Sequence, residues 1–254
     1  MKTVPLAISV FILISGCYFE KIRPANLYPN LSKPIKNQEQ WQIDSYKERI
    51  SKFVENPIGF NKIVFLGNSI TSGAGDWNIR FGLKDLIINR GIGGDITGGV
   101  LARLNEILYY KPRAVFLLIG LNDIFNGDIP EIDDDISYVA KNIIKIASRI
   151  KKHSPKTKIF IQTILPVNKN QFESVRGFYP NHKIPVNDKI NQINLKLYEF
   201  NSENGYTIID LNSIFLNEKE EMDEKFSTDG VHLNDSGYEL WTNHIKQYLI
   251  ELTQ

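Results

Sequence analysis

Ala114-Val115-Phe116-Leu117-Leu118-Ile119-Gly120-Leu121-Asn122-Asp123 is the stretch that decides the fold. Its apolar residues follow one another without the polar alternation of a strand that has one wet face. An uninterrupted run of this kind suits a parallel strand covered by helices on both sides. A second run, Ile63-Val64-Phe65-Leu66, ends in the same manner, in Gly67-Asn68-Ser69-Ile70. Strands are expected at 63–66, 86–89, 114–119, 158–163 and 207–209. Helical periodicity between and after them predicts helices near 97–109, 132–153, 186–204 and 236–251. An earlier helix over 40–54 places Trp41, Ile43, Tyr46, Ile50, Phe53 and Val54 at near-helical spacing, and Asn56-Pro57 stops it. The alternation predicts a three-layer α/β/α sandwich on a mostly parallel five-stranded sheet.

Ligands of such sheets bind beyond the carboxyl ends of the strands. Three blocks fall there: Ser69 after the first strand, Gly94 in Gly91-Ile92-Gly93-Gly94-Asp95, and Asn122 in Gly120-Leu121-Asn122-Asp123. A fourth, Asp229-Gly230-Val231-His232, lies near the C-terminus. Each block alone has a commoner meaning. Ser69 would cap a helix, Gly93-Gly94 and Asp229-Gly230 would make turns, and Asn122-Asp123 would make a turn or a cap. Together they supply a hydroxyl, a base, an orienting carboxylate and donors for a developing oxyanion. A turn-like segment can bring Asp229 and His232 to one edge. The other histidines fit less well: His153 closes a lysine-rich helix, His244 lies in the last helix, and His182 is in a long loop.

With these blocks in this order, the chain resembles the SGNH hydrolases, the GDSL esterase/lipase family, from about residue 62 to the C-terminus. The stretch 89–104 is similar to the branch that includes platelet-activating-factor acetylhydrolases. The family's first block usually reads Gly-Asp-Ser-Leu, and here it is Gly67-Asn68-Ser69-Ile70. Asn68 keeps hydrogen-bonding capacity and Ile70 keeps an apolar side chain. The resemblance implies an SGNH/flavodoxin-like fold and a carboxylic ester hydrolase. In it Ser69 is the nucleophile, His232 the base and Asp229 its orienter. The oxyanion hole is formed by the N–H groups of Ser69 and Gly94 with the Asn122 amide. Asp95 and Asp123 are expected to hold their loops. A nucleophile elbow, Gly-x-Ser-x-Gly, fits worse, since Thr71 stands at its second glycine. No cofactor and no metal are implied, because metal-ligand and nucleotide-binding signatures are missing from the sequence.

Two stretches are expected to shape the pocket: 73–82, with Trp77, Arg80 and Phe81, and 166–185, with Phe172, Arg176, Phe178, Tyr179 and His182. Trp77, Arg80, Arg176 and Tyr179 are the candidate substrate contacts. The expected reaction is hydrolysis of short-chain acyl esters, O-acetyl groups on carbohydrate foremost. A lipase, thioesterase or acyltransferase of the same fold, and a non-catalytic glycan-binding lipoprotein, stay open beside it. The partner is then an acylated small molecule or glycan. A formal charge of +1 and 42% apolar residues over 254 fit one globular domain and give no reason to expect nucleic acid.

The N-terminus reads differently. Met1-Lys2, an apolar stretch over 4–14 and Leu13-Ile14-Ser15-Gly16-Cys17 resemble a bacterial lipoprotein signal. That resemblance implies a signal peptide over 1–16, lipidation of Cys17, a tether over 17–37 and a hydrolase domain over 38–254. The protein is then expected outside the cytoplasm, anchored to a bacterial membrane through Cys17, the outer membrane or cell surface before the inner one. Cys17 is also the one cysteine in the chain.

Overall fold

A computed structural model describes residues 26–127, 134–201 and 205–253. The expected signal peptide, Cys17 and the first part of the expected tether lie outside the described residues.

Five strands form one sheet: β1 (Ile63–Gly67), β2 (Ile87–Gly91), β3 (Ala114–Leu118), β4 (Lys158–Gln162) and β5 (Thr207–Ile209). They lie in the order β2-β1-β3-β4-β5 and every pairing is parallel. β1 and β3 are buried at every position, as their unbroken apolar runs require. The register aligns Phe65, Phe116 and Phe160 across three strands. Their rings stack at 4.8 Å and 4.5 Å and make one aromatic row on one face of the sheet. Phe65 also stacks on Trp77 at 4.3 Å, and Trp77 meets Trp241 edge-on at 4.8 Å.

The helices are α1 (Gln40–Glu55), α2 (Ser69–Gly73), α3 (Trp77–Phe81), α4 (Thr97–Ala102), α5 (Asn105–Tyr110), α6 (Leu121–Phe125), α7 (Asp135–His153), α8 (Lys169–Arg176), α9 (Val186–Asn201) and α10 (Asp235–Thr253). α3 and α10 bring Trp77 and Trp241 onto the aromatic row. α7 packs against α4, α9 and β4, and it buries Val139, Ala140, Ile143, Ile146, Ala147 and Ile150 along one stripe. The three-layer sandwich on a parallel five-stranded sheet is therefore the architecture found.

Three local expectations change. The second strand runs over Ile87–Gly91 rather than 86–89, because Gly91 pairs with Gly67 at the far end of β1. The single helix expected over 97–109 is two, α4 and α5, parted at Arg103-Leu104. There the Arg103 side chain turns inward, donating from Nε to Asp95 Oδ2 at 2.9 Å and from Nη2 to the Gly67 carbonyl at 3.1 Å. The long loop expected over 166–185 contains α8, whose N-cap Asn168 accepts from the Gln171 N–H at 3.0 Å.

The segment before the sheet is tied on by a buried ion pair. Glu106 receives Arg90 through Nε and Nη2, both at 2.9 Å. The same carboxylate accepts the Tyr28 hydroxyl and the Ile58 N–H, each at 2.9 Å.

Candidate active site

The strand order reverses direction between β1 and β3, and ligands of open α/β sheets gather at such a point. Ser69 leaves β1, Gly94 follows β2 and Asn122 follows β3. Ser69 is the first residue of α2, so its N–H has no partner inside the helix. The cap is Asn68, whose side chain accepts from the Ile70 N–H at 3.0 Å. The serine hydroxyl is thereby left for other chemistry, and asparagine does the capping at the position where the family usually has aspartate.

Asp229 and His232 sit in a tight loop between Ser227 and Leu233, which form an antiparallel bridge. Ser227 Oγ donates to the His232 carbonyl and accepts from the Gly230 N–H, both at 2.8 Å. Gly230 has φ +83°, and a Cβ there would stand 2.4 Å from the Asn168 carbonyl oxygen, so glycine lets this loop press against the start of α8. Asp229 Oδ1 accepts the N–H groups of Val231 at 3.1 Å and His232 at 2.8 Å, which fixes the loop around its own carboxylate. Asp229 Oδ2 lies 2.8 Å from His232 Nδ1, and His232 Nε2 lies 3.0 Å from Ser69 Oγ. With Nδ1–H donating to the carboxylate, Nε2 is the acceptor that faces the hydroxyl.

Arg176, the last residue of α8, adds a cation to this chain of contacts. Its Nε donates to Asp229 Oδ2 at 3.0 Å, its Nη2 bonds the same oxygen, and Nη2 lies 3.4 Å from His232 Nδ1. Burial pushes the Asp229 carboxyl up, but the hydrogen bonds from His232 and Arg176 outweigh it and hold the group well below the usual carboxylate range.

The opposite side carries Gly94 and Asn122. Gly94 has φ +75° and is buried. Asn122 donates from Nδ2 to the Asp95 carbonyl at 2.9 Å, which locks its amide to the Gly94 loop. Asp123 accepts the Thr97 N–H at 2.9 Å and the Thr97 hydroxyl at 2.5 Å. Burial pushes the Asp123 carboxyl up to about 7 against those bonds, and the Asp95 carboxyl up to about 6 against the pull of Arg103. Asp123 thus ties the Asn122 loop to Thr97 beyond Gly94, while the Asp95 carboxylate ties the Gly94 loop to Arg103.

Ser69, Gly94, Asn122 and His232 open onto one pocket of about 430 Å³. Its other lining residues include Trp41, Leu121, Phe125, Phe172, Arg176, Phe178 and Val231. A larger groove of about 810 Å³, between residues 26–38 and α1, holds none of the four.

Of the expected substrate contacts, Arg176 alone lines the pocket. Trp77 is fully buried in the aromatic row and cannot meet a ligand. Arg80 is directed elsewhere, bonding the Ala74 carbonyl at 2.8 Å and Asp235 at 3.2 Å above the Tyr238 ring. Tyr179 packs behind the wall against Phe125 and Phe172. Trp41 was missed as a pocket residue. The signal was present, because α1 buries Gln42, Tyr46, Ile50 and Phe53, and Trp41 lies one position off that stripe.

Known proteins share both the fold and the sequence blocks. Residues 65–240 match the family model described as GDSL-like Lipase/Acylhydrolase. No curated protein matches the sequence. A solved Streptococcus pneumonia protein, named as a candidate platelet activating factor, is 27% identical with a TM-score of 0.69, over 82% of this chain and 94% of that one. A GDSL-like lipase from Bacteroides thetaiotaomicron shares the fold at 22% identity and a TM-score of 0.66, over 81% and 97% of the two chains. So does Axe2, an acetylxylan esterase from Geobacillus stearothermophilus, at 19% identity and 0.56, over 77% and 95%. The family match spans most of the chain and contains all four sequence blocks, and this protein belongs to the GDSL-like lipase/acylhydrolases.

Proposed function

We propose that the protein is a serine esterase that removes short acyl groups, O-acetyl foremost, from carbohydrate through an acyl-enzyme. The observation that carries this reading is the continuous hydrogen-bonded line from Asp229 through His232 to Ser69, ending in the pocket. Ser69 Oγ attacks the ester carbonyl carbon while its proton passes to His232 Nε2. Asp229 keeps its negative charge and stabilises the imidazolium. The carbonyl oxygen becomes an oxyanion held by the N–H groups of Ser69 and Gly94 and by the Asn122 amide. Collapse expels the alcohol, which takes the proton from His232. Water then attacks the acyl-enzyme carbonyl as His232 takes its proton, and collapse breaks the bond to Ser69 Oγ, returns that proton to Oγ and releases the carboxylic acid.

A pocket of this volume has to hold parts of both the acyl and the alcohol group, which favours a small acyl group. That structural neighbours of the same fold include acetyl xylan esterases supports an acetylated sugar. The apolar walls Leu121, Phe125, Phe172 and Val231 favour a second reading, a lipase or thioesterase acting on longer chains. Hydrolysis of p-nitrophenyl acetate and p-nitrophenyl octanoate, by wild type and Ser69→Ala, tests both readings. The expected result is faster turnover of acetate that collapses in the variant. Equal rates in the two proteins would remove Ser69 from the mechanism, and a preference for octanoate would move the second reading ahead.

The lipoprotein-like start supports a further part of the reading, attachment to a bacterial membrane through lipidated Cys17. Labelled palmitate that enters the full chain and is lost in Cys17→Ser is the outcome expected; label retained in the variant rules the site out.

A further inference from the structure

One wall of the pocket comes from outside the family-matched residues 65–240. Trp41, in the first turn of α1, lines the same cavity as Ser69 and His232 and is still 54% exposed. Its ring has a fixed setting. Nε1 donates to Glu39 Oε2 at 2.6 Å. The far edge of the indole lies against Gly94, since a Cβ added there would be 2.5 Å from Trp41 Cζ3 and 2.6 Å from Cη2. α1 is itself clamped to the site. Gln42 and Asn126 exchange amide hydrogen bonds at 2.9 Å and 2.8 Å, and Ser45 Oγ donates to the Gly93 carbonyl at 2.9 Å.

Phe178, also in the lining and 58% exposed, leans edge-on against Phe172 at 5.5 Å. A lone exposed aromatic needs no explanation, but two of them in the cavity that holds the nucleophile mark a binding surface. Polar groups interrupt that surface, with Glu39 beside Trp41 and Arg176 beside His232. An extended acyl chain would meet charge there. A pyranose ring suits the arrangement better, because its C–H face is apolar and flat while hydroxyls project from its edge. Indole gives that face a large and rigid contact at little cost in side-chain entropy.

We propose that Trp41 is a specificity-determining residue, the platform on which the ring of a carbohydrate alcohol lies while its ester reaches Ser69. The ester chemistry rests on the esterase reading, whereas ring binding can be measured apart from it. Trp41→Ala puts a strong helix former at an exposed helical position, so the fold is retained, and Trp41→Phe keeps a ring.

In the full-length protein, kcat/KM is compared for methyl tri-O-acetyl-β-xyloside and for the acyclic ester triacetin. In parallel, calorimetry measures binding of the xyloside to Ser69→Ala with and without Trp41→Ala. Loss of an aromatic anchor that the bound ring covers predicts an about tenfold fall in the xyloside-to-triacetin ratio in Trp41→Ala, partial recovery in Trp41→Phe, and about tenfold weaker binding. An unchanged ratio, or equal losses on both esters, overturns the platform. Ser69-dependent hydrolysis with xyloside binding indifferent to Trp41 sinks the platform alone. Trp41-dependent binding without hydrolysis of either ester sinks the esterase reading alone.

Discussion

Arg176→Gln tests how the carboxylate behind His232 is held. The side chain of Asp229 is 4% exposed and its Oδ2 takes two bonds from a guanidinium that is itself 46% exposed. Hydrogen bonds to a charged group contribute about 1.5–3 kcal/mol each when sheltered, whereas exposed ion pairs contribute about 0.2–1 kcal/mol. A half-exposed arginine falls between, at about 1–2 kcal/mol for the pair of bonds. For a domain of this size that corresponds to a melting temperature lower by about 3–6 °C. The sign with pH follows from Asp229. Its carboxyl is held below its unfolded value of about 3.9, so its contribution is complete above that value and is lost as pH falls toward the folded one. Arg176→Gln removes part of that contribution. The gap between wild type and variant should be full near neutrality and should narrow only as pH falls well below ~4, toward the folded-state value. Calorimetric melts of both proteins from pH ~2 to ~7.5 measure it. A gap of the same size at both ends would mean that Arg176 acts by packing and not through the charge on Asp229. With p-nitrophenyl acetate, kcat should fall more than KM rises, because a misaligned His232 harms proton transfer before it harms binding.

Asn122→Ala should lower kcat by about 10²–10³-fold, the usual cost of one oxyanion donor, and steady-state kinetics on p-nitrophenyl acetate reads it directly. Gly94→Ala meets both a positive φ and the Trp41 ring. In a double-mutant cycle with Trp41→Ala, followed by urea denaturation, the ring's part of the cost should vanish and leave about 1–2 kcal/mol of backbone strain together with the tight contact on Gln42 Cγ; strictly additive costs would mean that the two do not touch. Arg103→Leu leaves the buried Asp95 carboxylate without its cation, and urea melts should show a loss of about 3–5 kcal/mol. Asp123 is raised by burial to about 7, so its stabilising share is complete below ~3.9 and is lost as pH rises through 7. The melting temperature of Asp123→Asn relative to wild type should therefore rise between pH 5 and pH 8, and a flat difference would contradict a buried, reluctant carboxylate.

The layers follow from patterns that are complete within a few residues. Val64-Phe65-Leu66 and Val115-Phe116-Leu117 need partners on both faces wherever they sit, and a covered parallel sheet provides them. Boundaries follow from contacts that no local pattern encodes. The break between α4 and α5 depends on Arg103 reaching Asp95 and Gly67, residues that the sheet brings near it. α8 was hidden because its eight residues bury only Phe172, too little for a periodic signal.

The same distinction separates the reactive groups from the pocket walls. Ser69, Gly94 and Asn122 stand where strands end, and that position is fixed by the sheet whatever surrounds it. Asp229 and His232 are held by a loop bonded to its own carboxylate and to Ser227, so their pairing is also local. The walls have no such constraint. Trp77 and Trp41 are both tryptophans close in sequence to a recognisable element, yet one fills the core beside Phe65 and the other opens onto the nucleophile. What separates them is the direction in which a whole helix packs: α3 lies flat on the aromatic row, whereas α1 is drawn over the Gly94 loop by Ser45, Gln42 and Asn126. Reaction type is therefore written in strand ends and tight loops, and ligand preference in how peripheral helices dock. For this chain the residue with most influence on preference should come from the segment that the family motifs do not include.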